Sequence, residues 1–451
     1  MAADMQMPLG GGTAVGSPVH SRSGAPDLAA SGFTDGDCML ACDSCGQLVL
    51  LPSPEPDGRH HCPRCGELLR RDHDEPLTTP LALSIGAWLL GVITLASPLL
   101  SIRLLGRYRD STPLSGARFF LEDGAAPLAL LLVATVMMAP LLRLTLRIAV
   151  LSGLLMFRSP QRMAPRMVAL LRWHDRLGAW CMPEIFLVGG IVAYVRLTTM
   201  ADVQIGPAAY GLFAFVVTTL VADALFEPQS IWHALNAAED PAPFLAGSPP
   251  QSCPYCRRLA FLPPGAPCPR CGTPLRSRKP DSVARSWALV TAAAIAYVPA
   301  NLLPVMTLIR LGHAESHTIM GGVAAFAENG FWPLAVIVFV TSVLFPLLKL
   351  AGLSAMLLHV SRPSGDRAWI YTRLYSLIEA LGRWSMIDVF IVAVLIGLLR
   401  FDAAASVVAG PGGVFFGAVV VLTMLAARAF DPRLLWDAGT GPAAVPSCGR
   451  R

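Results

Sequence analysis

Charge is what this chain has least of. Asp, Glu, Lys and Arg together make up 14% of its 451 residues, against about 25% in ordinary soluble domains, while apolar residues reach 54%. That deficit excludes a soluble globular body with a solvated charged shell. There is also no Walker A glycine loop, no nucleophile elbow and no HExxH pair, which argues against an ATP-driven pump and against the hydrolases those motifs mark. Residues 1–35 are rich in Gly, Ser, Ala and Pro but contain no apolar core or small-residue cleavage site, so they are read as a disordered tail and not as a cleaved signal peptide. Residues 437–451 read the same way, and 237–250 read as a Pro-rich connector.

What is present is long uncharged sequence. Windows at 81–102, 125–142, 206–222, 286–309, 330–348 and 403–427 are near or above the length a spanning helix needs. Two more, at 177–195 and 384–399, each carry one acid. The expected fold is therefore an all-α polytopic membrane protein with eight spans.

The chain also repeats itself. An offset of 206 carries Cys62, Pro98, Gly124, Pro140 and Arg143 onto Cys268, Pro304, Gly330, Pro346 and Lys349. An offset of 204 carries Gly178, Trp180, Glu184 and Phe186 onto Gly382, Trp384, Asp388 and Phe390. Agreement over such lengths marks a tandem duplication. Each unit is a cysteine-rich ribbon followed by four spans. The expected division is a ribbon over 36–76, a membrane module over 77–236, a second ribbon over 251–280 and a second module over 281–436.

Short basic loops stay on the cytoplasmic side of a membrane. The segment 143–176 holds seven arginines against Asp175, and its counterpart holds Lys349, Arg362, Arg367 and Arg373 against Asp366. Both connections are expected to face the cytosol. An even number of crossings per repeat then puts both ribbons and both termini there too. The net charge of +5 is a product of this bias, and no nucleic-acid surface is inferred from it.

The ribbons carry the strongest chemical signal. Cys42, Cys45, Cys62 and Cys65 are spaced C-x2-C-x16-C-x2-C, and Cys253, Cys256, Cys268 and Cys271 are spaced C-x2-C-x11-C-x2-C. Four thiolates on two tight turns suit one tetrahedral ion, with Zn²⁺ first and iron sharing the same ligand set. Gly46, Gly66 and Gly272 follow their pairs directly, whereas Arg257 takes that place after Cys256. Disulfides do not fit the reducing side of a membrane, and thioredoxin-type redox chemistry would need a βαβ setting. Such closed sites are structural. His60, His61 and His73 are minor alternative ligands, Cys38, Cys181 and Cys448 are spare thiols, and His313 and His317 with Glu315 read as solvated loop residues.

An ionisable side chain inside a bilayer is a functional candidate by default. Lys349 and Asp388 are expected at similar depth on neighbouring antiparallel helices, and Arg143 with Glu184 repeats the arrangement. Each pair fits either a buried ion pair or a polar site for a zwitterionic headgroup. Pro299, Asn301 and Pro304 in the fifth span offer freed backbone carbonyls that a cavity or a simple packing kink would use. Trp332 and Trp384 read as interface anchors.

The twin four-cysteine ribbons, the run Tyr297-Val298-Pro299-Ala300-Asn301-Leu302-Leu303-Pro304, the run Ala327-Glu328-Asn329-Gly330 and the run from Leu381 to Phe390 resemble the paraquat-inducible protein A family of inner-membrane proteins, over essentially residues 42–436. The first repeat departs from these motifs, with Leu95-Ala96-Ser97-Pro98 and Leu121-Glu122-Asp123-Gly124 in their place and Cys181 and Pro183 interrupting the third run. The resemblance implies a bacterial inner-membrane partner of a periplasmic mammalian-cell-entry (MCE) domain protein, handling phospholipid or a similar amphiphile; the missing catalytic motifs lead to the expectation of no enzymatic activity. Two other classes remain open: a zinc-responsive membrane regulator, and a secondary transporter of a small amphiphile or ion. The two modules are expected side by side about a pseudo-twofold axis, each with its own ribbon beneath it, and the outer connections 103–124 and 310–329 are expected to hold extended segments that a periplasmic partner would dock on.

Overall fold

The computed structural model describes residues 38–51, 58–71, 77–104, 107–156, 164–198, 202–235, 251–310, 313–328, 330–361, 368–382, 384–398 and 405–437. The tails and the connector at 237–250 fall outside the described residues, apart from Asp437. Among the described residues eight helices are long and apolar enough to cross a membrane, four in each repeat.

The spans are of two kinds, and the repeats match in which is which. The first, fourth, fifth and eighth are uninterrupted helices over Thr78–Ala96, Pro207–Leu225, Ser282–Leu302 and Pro411–Ala429. At ~1.5 Å per residue they are about as long as a bilayer core is thick. The first packs along the fourth and the fifth along the eighth. The second and sixth are longer, and each contains a π-helical turn, at Ala134–Met138 and Val340–Leu344. The third and seventh are broken: Ala164–Gly178 gives way to Pro183–Thr198, and Ala368–Gly382 to Ile387–Leu398 through a short 3-10 turn at Trp384–Met386.

Several of the basic residues read as connecting-loop charges are therefore helical. The second span runs on to Met156 and the third begins at Ala164, so Arg143, Arg147, Arg172 and Arg176 all sit on spanning helices. The hydropathy windows stop short because each arginine interrupts them.

The connections on the side away from the ribbons do form extended structure. Leu100–Leu104 pairs antiparallel with both Arg107–Ser111 and Asp202–Ile205, and Met306–Arg310 pairs likewise with His313–His317 and Ala405–Ala409. The registers agree, Leu100 facing Ile205 in one sheet and Met306 facing Ala409 in the other. Each sheet is clamped to its bundle by a prolyl carbonyl. Pro98 accepts a hydrogen bond from the Ala208 amide and Pro304 from the Gly412 amide, both at 3.0 Å, which satisfies donors in the first turn of the fourth and eighth spans. A Cβ at Gly206 or Gly410 would stand 2.2 Å from the same carbonyl oxygens, so only glycine permits the approach.

The upper halves of the third and seventh spans meet at the centre. Phe186 packs edge-on against its repeat mate Phe390, ring centroids 5.7 Å apart, as two equivalent residues about a pseudo-twofold axis should. Gly116 approaches the Ala393 carbonyl so closely that a Cβ would lie 2.3 Å from its oxygen, which ties the first repeat to the seventh span.

The ribbons do not each lie beneath the module they precede. In the first, hairpins Cys38–Ala41 with Leu48–Leu51 and Arg59–His61 with Leu68–Arg71 form a small apolar cluster against Trp436, beyond the eighth span. The Arg64 guanidinium lies 4.3 Å from the centre of that indole. In the second, Cys253, Cys256, Cys268 and Cys271 share a buried cluster with Val150, Leu151, Met167 and Trp232 of the first module, and Tyr255 packs edge-on to Trp232 at 5.8 Å. Trp232 and Trp436 are repeat mates, so each ribbon is held by the tryptophan of the other repeat. An exposed ion pair between Arg257 and Asp43, 2.7 Å, joins the two ribbons and contributes little by itself.

Trp436→Ala should raise amide hydrogen exchange across 38–71 by about tenfold or more while leaving 251–275 unchanged, and Trp232→Ala should do the reverse. Exchange mass spectrometry of the solubilised protein checks this, and the opposite pairing would restore the uncrossed arrangement.

Candidate functional site

Each ribbon is built around two turns of one design. In all four, the first cysteine of the pair accepts at its carbonyl from the residue after the second cysteine: Gly46 to Cys42 at 2.8 Å, Gly66 to Cys62 at 2.9 Å, Arg257 to Cys253 at 3.1 Å and Gly272 to Cys268 at 2.8 Å. Those residues have φ of 75°, 78°, 59° and 68°. Arg257 therefore adopts the left-handed conformation that glycine takes elsewhere, at a cost of ~1–2 kcal/mol to that turn.

The turns bring the sulfurs of each set within 4.8 Å of one another, all four buried. Cys42 lies 3.5 Å from Cys65, Cys45 3.6 Å from Cys62, Cys253 3.4 Å from Cys271 and Cys256 3.6 Å from Cys268. Two thiolates on one tetrahedral ion, bound at ~2.3 Å, stand about 3.8 Å apart, so each set fits a metal with little movement. Crowding also sets the sulfurs against each other. The Cys42 thiol is drawn down to about 5 by its hydrogen bond with Cys45, and Cys268 to about 7 by its contact with Cys253, whereas burial pushes Cys65 up to about 12. A bound dication is what allows four such groups to ionise together.

The second ribbon is joined directly to the membrane. Arg172, in the lower half of the third span, donates to the Cys271 carbonyl at 2.6 Å and to the Thr273 hydroxyl at 2.8 Å.

Within the membrane, Lys349 and Arg143 occupy equivalent places beside the breaks. Lys349 is buried and donates from Nζ to the Gly382 carbonyl and to the Ser385 hydroxyl, both at 2.7 Å, so it caps the C-terminus of the lower half-helix. Position 388 falls in the first turn of the upper half-helix, and the Asp388 side chain lies outside the described residues. Arg143 stands against Gly178 at the matching break and donates from Nη1 to Asp223 at 2.6 Å. Glu184 lies on the same cavity wall as Arg143. Asn301 turns back along its own helix to the Tyr297 carbonyl at 2.9 Å, and the Pro304 carbonyl is engaged by Gly412.

Both membrane modules, at residues 77–236 and 283–439, match the family model described as paraquat-inducible protein A. The chain belongs to the paraquat-inducible protein A family. It is similar to the intermembrane transport protein PqiA of Escherichia coli K12, 31% identical over 406 residues that cover 88% of this chain and 95% of the relative. It is also similar to the lipophilic envelope-spanning tunnel protein A of the same organism, 30% identical over 399 residues, covering 88% and 91%. A probable intermembrane transport protein of Haemophilus influenzae is 26% identical over 410 residues, covering 88% and 95%. No solved structure matches the chain.

Sequence reasoning missed three members of the polar cluster around Arg143 in this family member. Arg147, His174 and Asp223 come from the second, third and fourth spans and meet below the break at Gly178. The available signal was the spacing of Arg143 and Arg147, four residues apart and so on one helix face. Asp223 lies one residue beyond the uncharged window of the fourth span.

Elemental analysis should find two metal ions per chain. Cys45→Ser and Cys256→Ser should each reduce the count to one and open exchange only in the ribbon that carries the substitution, because binding energy of ~10–16 kcal/mol in such sites is folding energy.

Proposed function

We propose that this chain is the inner-membrane component of an MCE-type transport system, passing phospholipid or a similar amphiphile between the inner membrane and a periplasmic conduit made by an MCE-domain protein. The ribbons and both termini lie in the cytosol, and each ribbon holds one structural Zn²⁺. No step of covalent chemistry is assigned to the chain.

The observation that carries this reading is a partly open cleft between the two repeats, walled almost wholly by apolar side chains. Phe120, Leu128 and Val192 of the first repeat face Val305, Met306 and Phe416 of the second. An apolar cleft inside a membrane protein suits an acyl chain and suits a small ion poorly. It lies beside the sheet that begins at Met306, on the side away from the ribbons, where a periplasmic partner would dock on the outer strands. The names of the relatives, an intermembrane transport protein and an envelope-spanning tunnel protein, support the same reading. Four buried thiols, with no histidine among them, support zinc held in a closed site over a catalytic metal.

Expressed in its host with an affinity tag, the chain should co-purify an MCE-domain protein, and its deletion should lower detergent tolerance of the outer membrane. Val192→Trp, which fills the cavity from the first repeat, should reproduce the deletion phenotype without loss of the folded protein. Absence of such a partner together with an unaltered envelope would overturn the proposal.

A further inference from the structure

The first repeat encloses a second cavity of quite different character. It is small and partly open, and lies in the ribbon-side half of the module, between the break at Gly178 and the end of the fourth span. Arg147 is wholly buried on its wall and is fixed from three directions. Its Nη2 bonds to Asp223, its Nε donates to His174 Nε2 at 3.3 Å, and its guanidinium lies 4.5 Å from the centre of the Phe226 ring. Since His174 accepts at Nε2, its proton is on Nδ1, which bonds to Asp175 at 3.1 Å.

A guanidinium held this firmly still leaves Nη1 with no hydrogen-bond partner among the described residues. Arg143 Nε and Thr219 Oγ1 are in the same condition; all three residues wall the cavity, and each of these atoms lies just behind its surface, within reach of a small side-chain movement. A buried polar group left without a partner is destabilising, and more so where the group is charged.

Folding does not require this cost. At the repeat-related positions Arg147, His174 and Asp223 are replaced by Leu353, Ile378 and Ala427, which lie together in one buried apolar cluster. The same fold thus packs this place with hydrocarbon in one repeat and with an ion cluster in the other. Replacing a buried ion cluster by apolar residues of fitting volume is often neutral or stabilising, so the polar version needs a reason other than stability.

We propose that the cavity binds the phosphate group of a phospholipid headgroup, through Arg147 Nη1, Arg143 Nε and the Thr219 hydroxyl. Guanidinium groups suit phosphate because they present several donors in one plane. Glu184, on the same wall, is the acid that the amine of a zwitterionic headgroup would meet. A lipid is favoured over free phosphate because Leu220, exposed on the membrane-facing surface of the fourth span, forms part of the rim, so the acyl chains can remain in the bilayer. The assignment rests on the lipid-transport reading and names the place where a headgroup enters it from the ribbon side.

The test uses the full-length protein, delipidated in dodecyl maltoside, with thermal unfolding followed against three probes: dihexanoylphosphatidylethanolamine, dihexanoylglycerol and inorganic phosphate. The phosphate-bearing lipid should stabilise the wild type by several degrees, the phosphate-free lipid should not, and inorganic phosphate should act weakly and compete with the first. The triple substitution R147L/H174I/D223A, which copies the second repeat, should fold and lose the response. Thr219→Val keeps the ion cluster intact and should weaken the lipid about tenfold, so it decides the matter if the triple variant does not fold. Equal responses to both lipids, or a response unchanged in these variants, would overturn the site. Saturable binding of inorganic phosphate with none of the lipid would overturn the headgroup assignment. Loss of the site with an MCE-domain partner still bound removes this inference alone, whereas an intact site without any such partner removes the transport reading and leaves the site.

Discussion

A bilayer supplies no water to an interrupted backbone, and this family member interrupts four of its eight spans. Every freed amide and carbonyl must therefore find a partner inside the protein, and the arrangement of the bundles follows from where those partners are. In the first repeat the π-helical turn at Ala134–Met138 exposes the Thr135 carbonyl, which accepts from the Met182 amide at 3.2 Å just where Pro183 restarts the third span. The irregularity of one helix thus satisfies the break in its neighbour. In the second repeat Lys349 does the corresponding work with a side chain, holding the Gly382 carbonyl and the Ser385 hydroxyl. Polarity within the membrane begins here as a structural necessity, and any ligand chemistry is added to it.

Much of this was legible in the sequence, for reasons that can be named. A duplication is read from constant offsets, and those offsets later hold in detail: the sheet registers, the two prolyl clamps and the Phe186–Phe390 contact all obey them. Four thiols at knuckle spacing predict their own convergence, because the geometry is set within each turn. The span limits were less legible, since a window that stops at a charge assumes that the charge lies at the membrane surface. Arg147 breaks that assumption by being neutralised by Asp223 from another helix, a partner that hydropathy along one chain cannot reveal. The position of the ribbons was not legible at all. Trp232 and Trp436 carry the same local signal, and which ribbon each one holds is decided by contacts between residues far apart in the chain.

The crossed ribbons also change what the metal sites are attached to. Arg172 runs from the lower half of the third span to the Cys271 carbonyl, and two residues further along the same half-helix His174 orients Arg147. The second cysteine cluster, the ion cluster and the break at Gly178 are thus placed along fifteen residues of one short helix, Ala164–Gly178. Its upper continuation, Pro183–Thr198, carries Phe186 to the centre of the molecule and Val192 to the apolar cavity. Contiguity of this kind is a route by which ribbon and cavity can act on each other, although a route by itself is not a coupling energy.

The two repeats share one backbone solution and differ in what they bury within it. Below the break, the second repeat fills its space with Leu353, Ile378 and Ala427 and keeps its buried amine, that of Lys349, on backbone and hydroxyl oxygens. The first repeat holds two guanidiniums, a carboxylate and an imidazole in the same volume and closes it less completely. If packing alone were at stake, drift after duplication would favour the apolar version in both halves, since a single lost partner in a buried ion cluster costs about 3–5 kcal/mol whereas one lost methylene costs about 1. A cluster that is so easily damaged, and that its own repeat shows to be dispensable for the fold, is best explained by something it holds. The first repeat is on this account the half that has become specialised at the ribbon side of the membrane.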